Sequence, residues 1–150
     1  MGRTIALQTA VSGTLDILLA MGLTLWLGRQ IPDMLRFVGS GPFPAAANMG
    51  TGGALLGLVV HFALMAIMAA IFMALINHRP TLLDTPLRTG IAYGVVTYIV
   101  MNLIVVQLRF HPPFPPKPLS IASQLFAHIV LVGIPFALIA ARTLDRPAAT

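Results

Sequence analysis

The chain has 150 residues, of which 57% are hydrophobic and 9% are charged. Because soluble globular domains carry about 25% charged residues, this composition excludes an ordinary water-soluble fold and favours a membrane protein. The formal net charge of +5 comes from Lys and Arg residues that stand beside apolar runs, a pattern typical of membrane anchors and not of a nucleic-acid-binding face. The chain has no cysteine, which excludes disulfides, thiolate metal sites and cysteine nucleophiles.

Four apolar stretches are long enough to cross the hydrocarbon core, which takes about 20 residues of helix. They cover residues 5–27, 53–76, 89–108 and 121–141. The first stretch also has a feature of a secretory signal peptide, since Arg3 precedes it, but its length and the central Asp16 favour an uncleaved helix. Residues 1–150 are therefore predicted to form one all-α membrane domain, a bundle of four transmembrane helices.

The two loops on one side of the predicted membrane differ in kind. In the first, residues 28–52, Pro32 is placed to begin a short helix with an apolar face formed by Ile31, Met34, Leu35 and Val38. This spacing predicts a short helix along the membrane interface. The second loop carries five prolines between residues 109 and 120, which predict an extended, stiff crossing.

Basic residues give a weak indication of orientation. The side that holds both termini carries Arg3, Arg79, Arg88, Arg142 and Arg146, whereas the opposite side carries Arg29, Arg36, Arg109 and Lys117. Because cytoplasmic loops are richer in Lys and Arg, this small excess predicts that both termini are cytoplasmic. The expected location is a bacterial inner membrane.

Polar residues inside the spans lie on the same helical faces as small residues. In the third span the series is Gly90, Gly94, Tyr98 and Asn102, and in the second it is Gly53, Gly57 and His61. Residues four apart share a helical face, and small residues let helices approach closely in lipid. These faces are therefore predicted to point into the bundle, where Ser120, Ser123 or Gln124, Ala127 and His128 continue the pattern less strictly in the fourth span.

The depths of the polar residues predict one buried cluster. At a rise of about 1.5 Å per residue, His61, Asn102 and His128 lie roughly 9 to 12 Å below the same boundary, and Asp16 lies about one turn deeper. A charged Asp at the centre of a helix costs on the order of 3 kcal/mol, so it generally faces the bundle interior and a partner. The predicted cluster is Asp16, His61, Tyr98, Asn102 and His128.

Several functions fit such a cluster. The leading prediction is a non-enzymatic accessory or scaffold protein whose polar groups join helices, with the lipid bilayer and a membrane protein or a second copy as partners. One alternative is haem or metal ligation by His61 and His128, which would make it an electron-transfer protein. Another is a proton or small-solute pathway through Asp16, with Gln107 and Gln124 at its entrance. An enzyme acting on a lipid or quinone is a further alternative, but no motif for one is present.

Three runs of the sequence carry a family resemblance. The segments VVHFALMAIMAAIFM, GIAYGVVTYIVMN and SQLFAHIVLVGIP resemble small bacterial membrane proteins of the YagU-like type. The resemblance extends over most of the chain and implies a bacterial membrane protein with several spans. It implies no chemistry and assigns no role to His61 or His128.

Overall fold

The computed structural model of the protein describes residues 1–144, so Arg146 lies outside the described residues. This part of the chain is helical and has no strand. Its five helices are α1 (Gly2–Trp26), α2 (Ile31–Ser40), α3 (Gly50–His78), α4 (Pro86–Phe110) and α5 (Pro118–Thr143). All but α2 are long and apolar enough to cross a membrane. The prediction of an all-α bundle with four membrane-spanning helices is confirmed, and the chain is an integral membrane protein.

The helices extend beyond most of the predicted spans. Both α4 and α5 begin at a proline, Pro86 and Pro118, which suits the first position of a helix because its missing N–H needs no partner there. Hydropathy identifies only the apolar part of a helix. The backbone continues to form helical hydrogen bonds in the first polar turns at either end, so the helix is longer than its apolar stretch.

The helix order around the bundle determines which side chains meet. Helix α1 packs against α3 and α5, and α4 packs against α5, while Tyr93 of α4 contacts Phe72 of α3 with ring centroids 4.9 Å apart. We call the end that holds both chain termini the terminal end, and the opposite end the loop end. A buried aromatic core that includes Phe72, Tyr93 and Phe136 closes the terminal end.

Glycines allow α4 and α5 to approach at backbone contact. A Cβ atom on Gly133 would lie 2.8 Å from the Gly94 nitrogen, and one on Gly90 would lie 2.7 Å from the Ile134 Cα. A Cβ atom on Gly94 would lie 2.6 Å from the Ile129 Cα. These positions leave no room for a side chain, so the face predicted from Gly90 and Gly94 is the one that packs against α5.

The predicted helix in the first loop is present as α2, and it packs closely against α3. A Cβ atom on Gly39 of α2 would lie 3.0 Å from the Gly57 nitrogen of α3. The C-terminal end of α2 also contacts α4. There the Arg109 guanidinium donates hydrogen bonds to the Gly41 carbonyl at 2.6 Å and to the Ser40 carbonyl at 2.8 Å. The end of α4 is thus tied to the end of α2.

Both α4 and α5 contain a π-helical segment at mid-length. These segments are Ile99–Val105 in α4 and Ala127–Gly133 in α5, and they contain Asn102 and His128, two residues of the predicted cluster. Single-turn π segments inside α-helices are frequent at functional sites. The two segments meet at the contact between Asn102 and His128, which is therefore a candidate functional site.

Candidate functional site

The half-buried Asp16 and the buried His61 form a pair between α1 and α3. The His61 Nδ1 atom lies 3.8 Å from the Asp16 Oδ2 atom, and its Nε2 atom lies 2.9 Å from the carbonyl oxygen of Gly13. A carbonyl only accepts, so Nε2 carries a proton and donates it to Gly13. The Nδ1 atom then faces a carboxyl oxygen, an arrangement in which a second proton can reside on either the histidine or the aspartate.

His128 belongs to a separate chain of hydrogen bonds between α4 and α5. Thr97 donates its hydroxyl proton to the Gly94 carbonyl at 3.0 Å, so its oxygen accepts from His128 Nδ1 at 3.1 Å. The second ring nitrogen, Nε2, accepts from the Asn102 amide at 3.1 Å. These hydrogen bonds give both ring nitrogens of a neutral His128 a partner. The Tyr98 ring packs against the His128 ring, with the ring centroids 6.2 Å apart.

The structure therefore divides the predicted cluster in two. Asp16 and His61 share the α1–α3 contact, whereas Tyr98, Asn102 and His128 share the α4–α5 contact. Within residues 1–144 no hydrogen bond or ion pair joins the two groups. Depth along each helix predicts which residues are level, but the helix order together with the rotation of each helix decides which of them meet.

The histidines do not fit a bis-histidine haem or metal site in this arrangement. Three of the four ring nitrogens of His61 and His128 are hydrogen bonded and the fourth faces Asp16. A metal would have to displace Asn102 or Asp16 to reach a lone pair. Among the described residues no group of three or more His, Asp or Glu side chains is placed to hold a metal ion.

Polar residues recur at every fourth position along α1, except at Ala20. Of these polar residues, only Asp16 belongs to the predicted cluster. This stripe consists of Thr4, Gln8, Ser12, Asp16, Ala20 and Thr24. Gln8 and Ser12 are fully buried, and the Gln8 Oε1 and Ser12 Oγ atoms have no hydrogen-bond partner within the described chain. The signal in the sequence is the spacing of four, which places all six residues on one slowly winding face.

Interhelical hydrogen bonds close a ring around the bundle. His61 joins α3 to α1, and the Asn102–His128 bond joins α4 to α5. Gln8 of α1 donates to the Phe136 carbonyl of α5 at 2.9 Å, and Tyr93 of α4 donates to the Met68 carbonyl of α3 at 2.7 Å. Every neighbouring pair of spanning helices is thus linked by at least one buried side chain.

A cavity of about 560 Å³ opens at the loop end between α1, α4 and the start of α5. Tyr98 and Asn102 line its deep part, and Gln107, Gln124 and the proline-rich loop line the part nearer the loop end. The two glutamines predicted to form an entrance thus share a cavity with two members of the polar cluster. On α1 the cavity reaches Ala20, one turn from Asp16 in the stripe.

Comparisons of the chain with protein-family profiles, with characterised proteins and with solved structures find no match. The resemblance to YagU-like proteins stays a prediction.

Proposed function

We propose that the protein is a small, non-enzymatic accessory or scaffold component of a membrane. The ring of interhelical hydrogen bonds carries this proposal. Helices in lipid lack a hydrophobic force between them, so close packing and polar links specify their arrangement. A ring that links each neighbouring pair holds the four helices in one arrangement and leaves their outer faces available for a neighbouring protein.

The geometry around the histidines supports a non-enzymatic role. A nucleophile needs a base that accepts its proton, but the Thr97 hydroxyl proton goes to the Gly94 carbonyl and not to His128. His61 faces a carboxyl oxygen and a backbone carbonyl. Neither histidine activates a hydroxyl.

A crosslinking experiment tests the accessory role on each spanning helix separately. A photoreactive amino acid replaces one exposed residue per helix in the cellular membrane, at Leu18, Val59, Val96 and Val130. We expect a discrete protein adduct from one or two adjacent helices and lipid adducts from the others, which serve as matched controls. Lipid adducts alone from all four positions, together with a monomer on gentle purification, would overturn the proposal.

A proton or small-solute pathway is a second candidate, favoured by the stripe along α1. The stripe continues from the loop-end cavity through Asp16 towards Thr4, and two of its buried oxygen atoms have no partner among the described residues. The Asp16–His61 pair, with its side-chain atoms 3.8 Å apart, lies at mid-membrane, the position where carboxylates and histidines serve as proton relays.

Proton flux into liposomes tests this second candidate. Asp16→Asn removes the carboxylate and is expected to abolish most of the flux, while Asp33→Asn changes an exposed aspartate of α2 and serves as the control. Equal flux through both variants and the parent protein would exclude the pathway.

For the location we propose a bacterial inner membrane with both termini in the cytoplasm, on the basis of the basic-residue excess. The absence of cysteine from the sequence allows a direct test with single substitutions. An impermeant maleimide applied to intact cells is expected to label Lys117→Cys and to leave Arg79→Cys unlabelled. The reverse pattern contradicts the orientation.

A further inference from the structure

We propose that the loop-end cavity binds a phosphate group, carried either by a lipid headgroup or by a free organic phosphate. This inference does not depend on the accessory function, since a ligand site and an outer contact face are separate surfaces. Its basis is the chemistry of the cavity wall. The cavity volume of about 560 Å³ falls in the range of small-molecule sites, about 300 to 1,000 Å³.

The cavity contains the basic side chains of the loop end that no protein group engages. Arg36 pairs with Asp33, and Arg109 binds two backbone carbonyls. Arg29 and Lys117 line the cavity, and neither side chain has an ion-pair or hydrogen-bond partner among residues 1–144. Within the part of the chain that the structure describes, no aspartate or glutamate lines the cavity, so its described wall is positively charged.

The start of α5 adds to this positive field. The helix begins at Pro118 beside Lys117, and Leu119 and Ser120 of its first turn line the cavity. The free N–H groups and the dipole of a helix N-terminus favour anions. Arg29 joins the cavity wall just after the end of α1, and Lys117 joins it just before the start of α5.

Neutral hydrogen-bond donors also line the cavity. Tyr98 is only 7% exposed, and its hydroxyl makes no hydrogen bond with any described residue, although it belongs to the cavity wall. The Gln107 and Gln124 side chains are half-buried and likewise have no partner in residues 1–144. A hydroxyl and two amides that open into the cavity without protein partners are free to donate hydrogen bonds to a ligand or to water.

Two cations together with neutral hydrogen-bond donors in one cavity suit a ligand with several acceptor oxygens. A phosphate group presents three strong acceptor oxygens around one centre, whereas a carboxylate presents two in a plane. Apolar residues such as Leu23, Leu27 and Val106 complete the wall. This composition matches an organic phosphate with an apolar portion better than a bare ion.

Binding measurements in a phosphate-free nonionic detergent test the proposal. The probes are inorganic phosphate, glycerol 3-phosphate, short-chain phosphatidylglycerol and, as a neutral control, short-chain diacylglycerol. The readouts are calorimetry and the fluorescence of Trp26, the single tryptophan, which lies between cavity residues Thr24 and Leu27. Saturable binding of phosphatidylglycerol alone identifies a lipid headgroup, and binding of glycerol 3-phosphate identifies a free organic phosphate.

Variants distinguish a site from general attraction to positive charge. The double change Arg29→Gln with Lys117→Gln is expected to weaken binding about tenfold or more, as for loss of charge-assisted hydrogen bonds. Arg79→Gln with Arg88→Gln removes two charges at the terminal end and should leave affinity unchanged. Tyr98→Phe keeps the ring and should weaken binding severalfold.

Three results would overturn the phosphate site. They are the absence of saturable binding by any phosphate probe, equal affinity for diacylglycerol and phosphatidylglycerol, and equal weakening by the two double variants. None of these results bears on the crosslinking test, so failure of the phosphate site and failure of the accessory function are distinguishable.

Discussion

Gly133→Ala should separate α4 from α5 and destabilise the bundle. The new Cβ atom would meet the Gly90 carbonyl and would lie 2.8 Å from the Gly94 nitrogen and 3.0 Å from its Cα. These are backbone atoms, which cannot rotate away as a flexible side chain does. The two helices must therefore move apart.

The expected loss of stability is about 2 to 3 kcal/mol. Overpacking costs typically about 1 to 3 kcal/mol, and a backbone clash belongs at the upper end. A separation of even half an ångström lengthens the Asn102–His128 bond from 3.1 Å beyond good geometry, and interhelical bonds in membranes contribute about 0.6 to 1.7 kcal/mol. The higher helix propensity of alanine offsets about 1 kcal/mol of the combined loss from overpacking and from the weakened hydrogen bond.

Equilibrium unfolding in a titration of SDS against a mild detergent, followed by circular dichroism, measures this difference. Gly22→Ala is the matched control, because a Cβ atom at Gly22 of α1 meets nothing within 4 Å. That variant should be as stable as the parent or slightly more stable. If Gly133→Ala unfolds at the same SDS fraction as Gly22→Ala, the close α4–α5 contact is refuted.

Three further predictions concern other contacts. Asn102→Leu leaves the His128 Nε2 atom without a donor and should lower the free energy of unfolding by about 1 kcal/mol in the same titration. Unchanged stability would contradict the hydrogen bond between Asn102 and a neutral His128. Arg109→Gln releases the Ser40 and Gly41 carbonyls, so amide exchange in residues 38–49 should accelerate about tenfold, and unchanged exchange would argue against the tie between α4 and α2. Protein purified from cells should show no Soret band and no bound metal, because the His61 and His128 ring nitrogens already have partners; stoichiometric haem would refute that interpretation.

The stripe on α1 shows why sequence reasoning found only part of the polar interior. Asp16 stands out because a carboxylate in an apolar span is costly. Thr4, Gln8 and Ser12 cost less, so hydropathy averages conceal them. Their spacing of four was nevertheless readable, and the structure buries all three, at 3%, 0% and 0% exposure.

The pairing of the polar residues depends on information that a single helix does not contain. The rise per residue placed His61, Asn102 and His128 at similar depth. Whether two level side chains meet depends on which helices are neighbours and how each is rotated. In the bundle α1 lies beside both α3 and α5, and the rotation of α1 brings Asp16 to His61 while Asn102 of α4 meets His128 of α5.

The sequence by itself determined the four spans and the faces that pack, because apolar length and the spacing of residues such as Gly90 and Gly94 are local properties of a helix. Only the tertiary structure decided that the polar residues form two groups, and that Arg29 and Lys117 line one cavity with Tyr98. A cavity arises where neighbouring helices diverge. That divergence depends on contacts between residues far apart in the chain, which helical periodicity does not record.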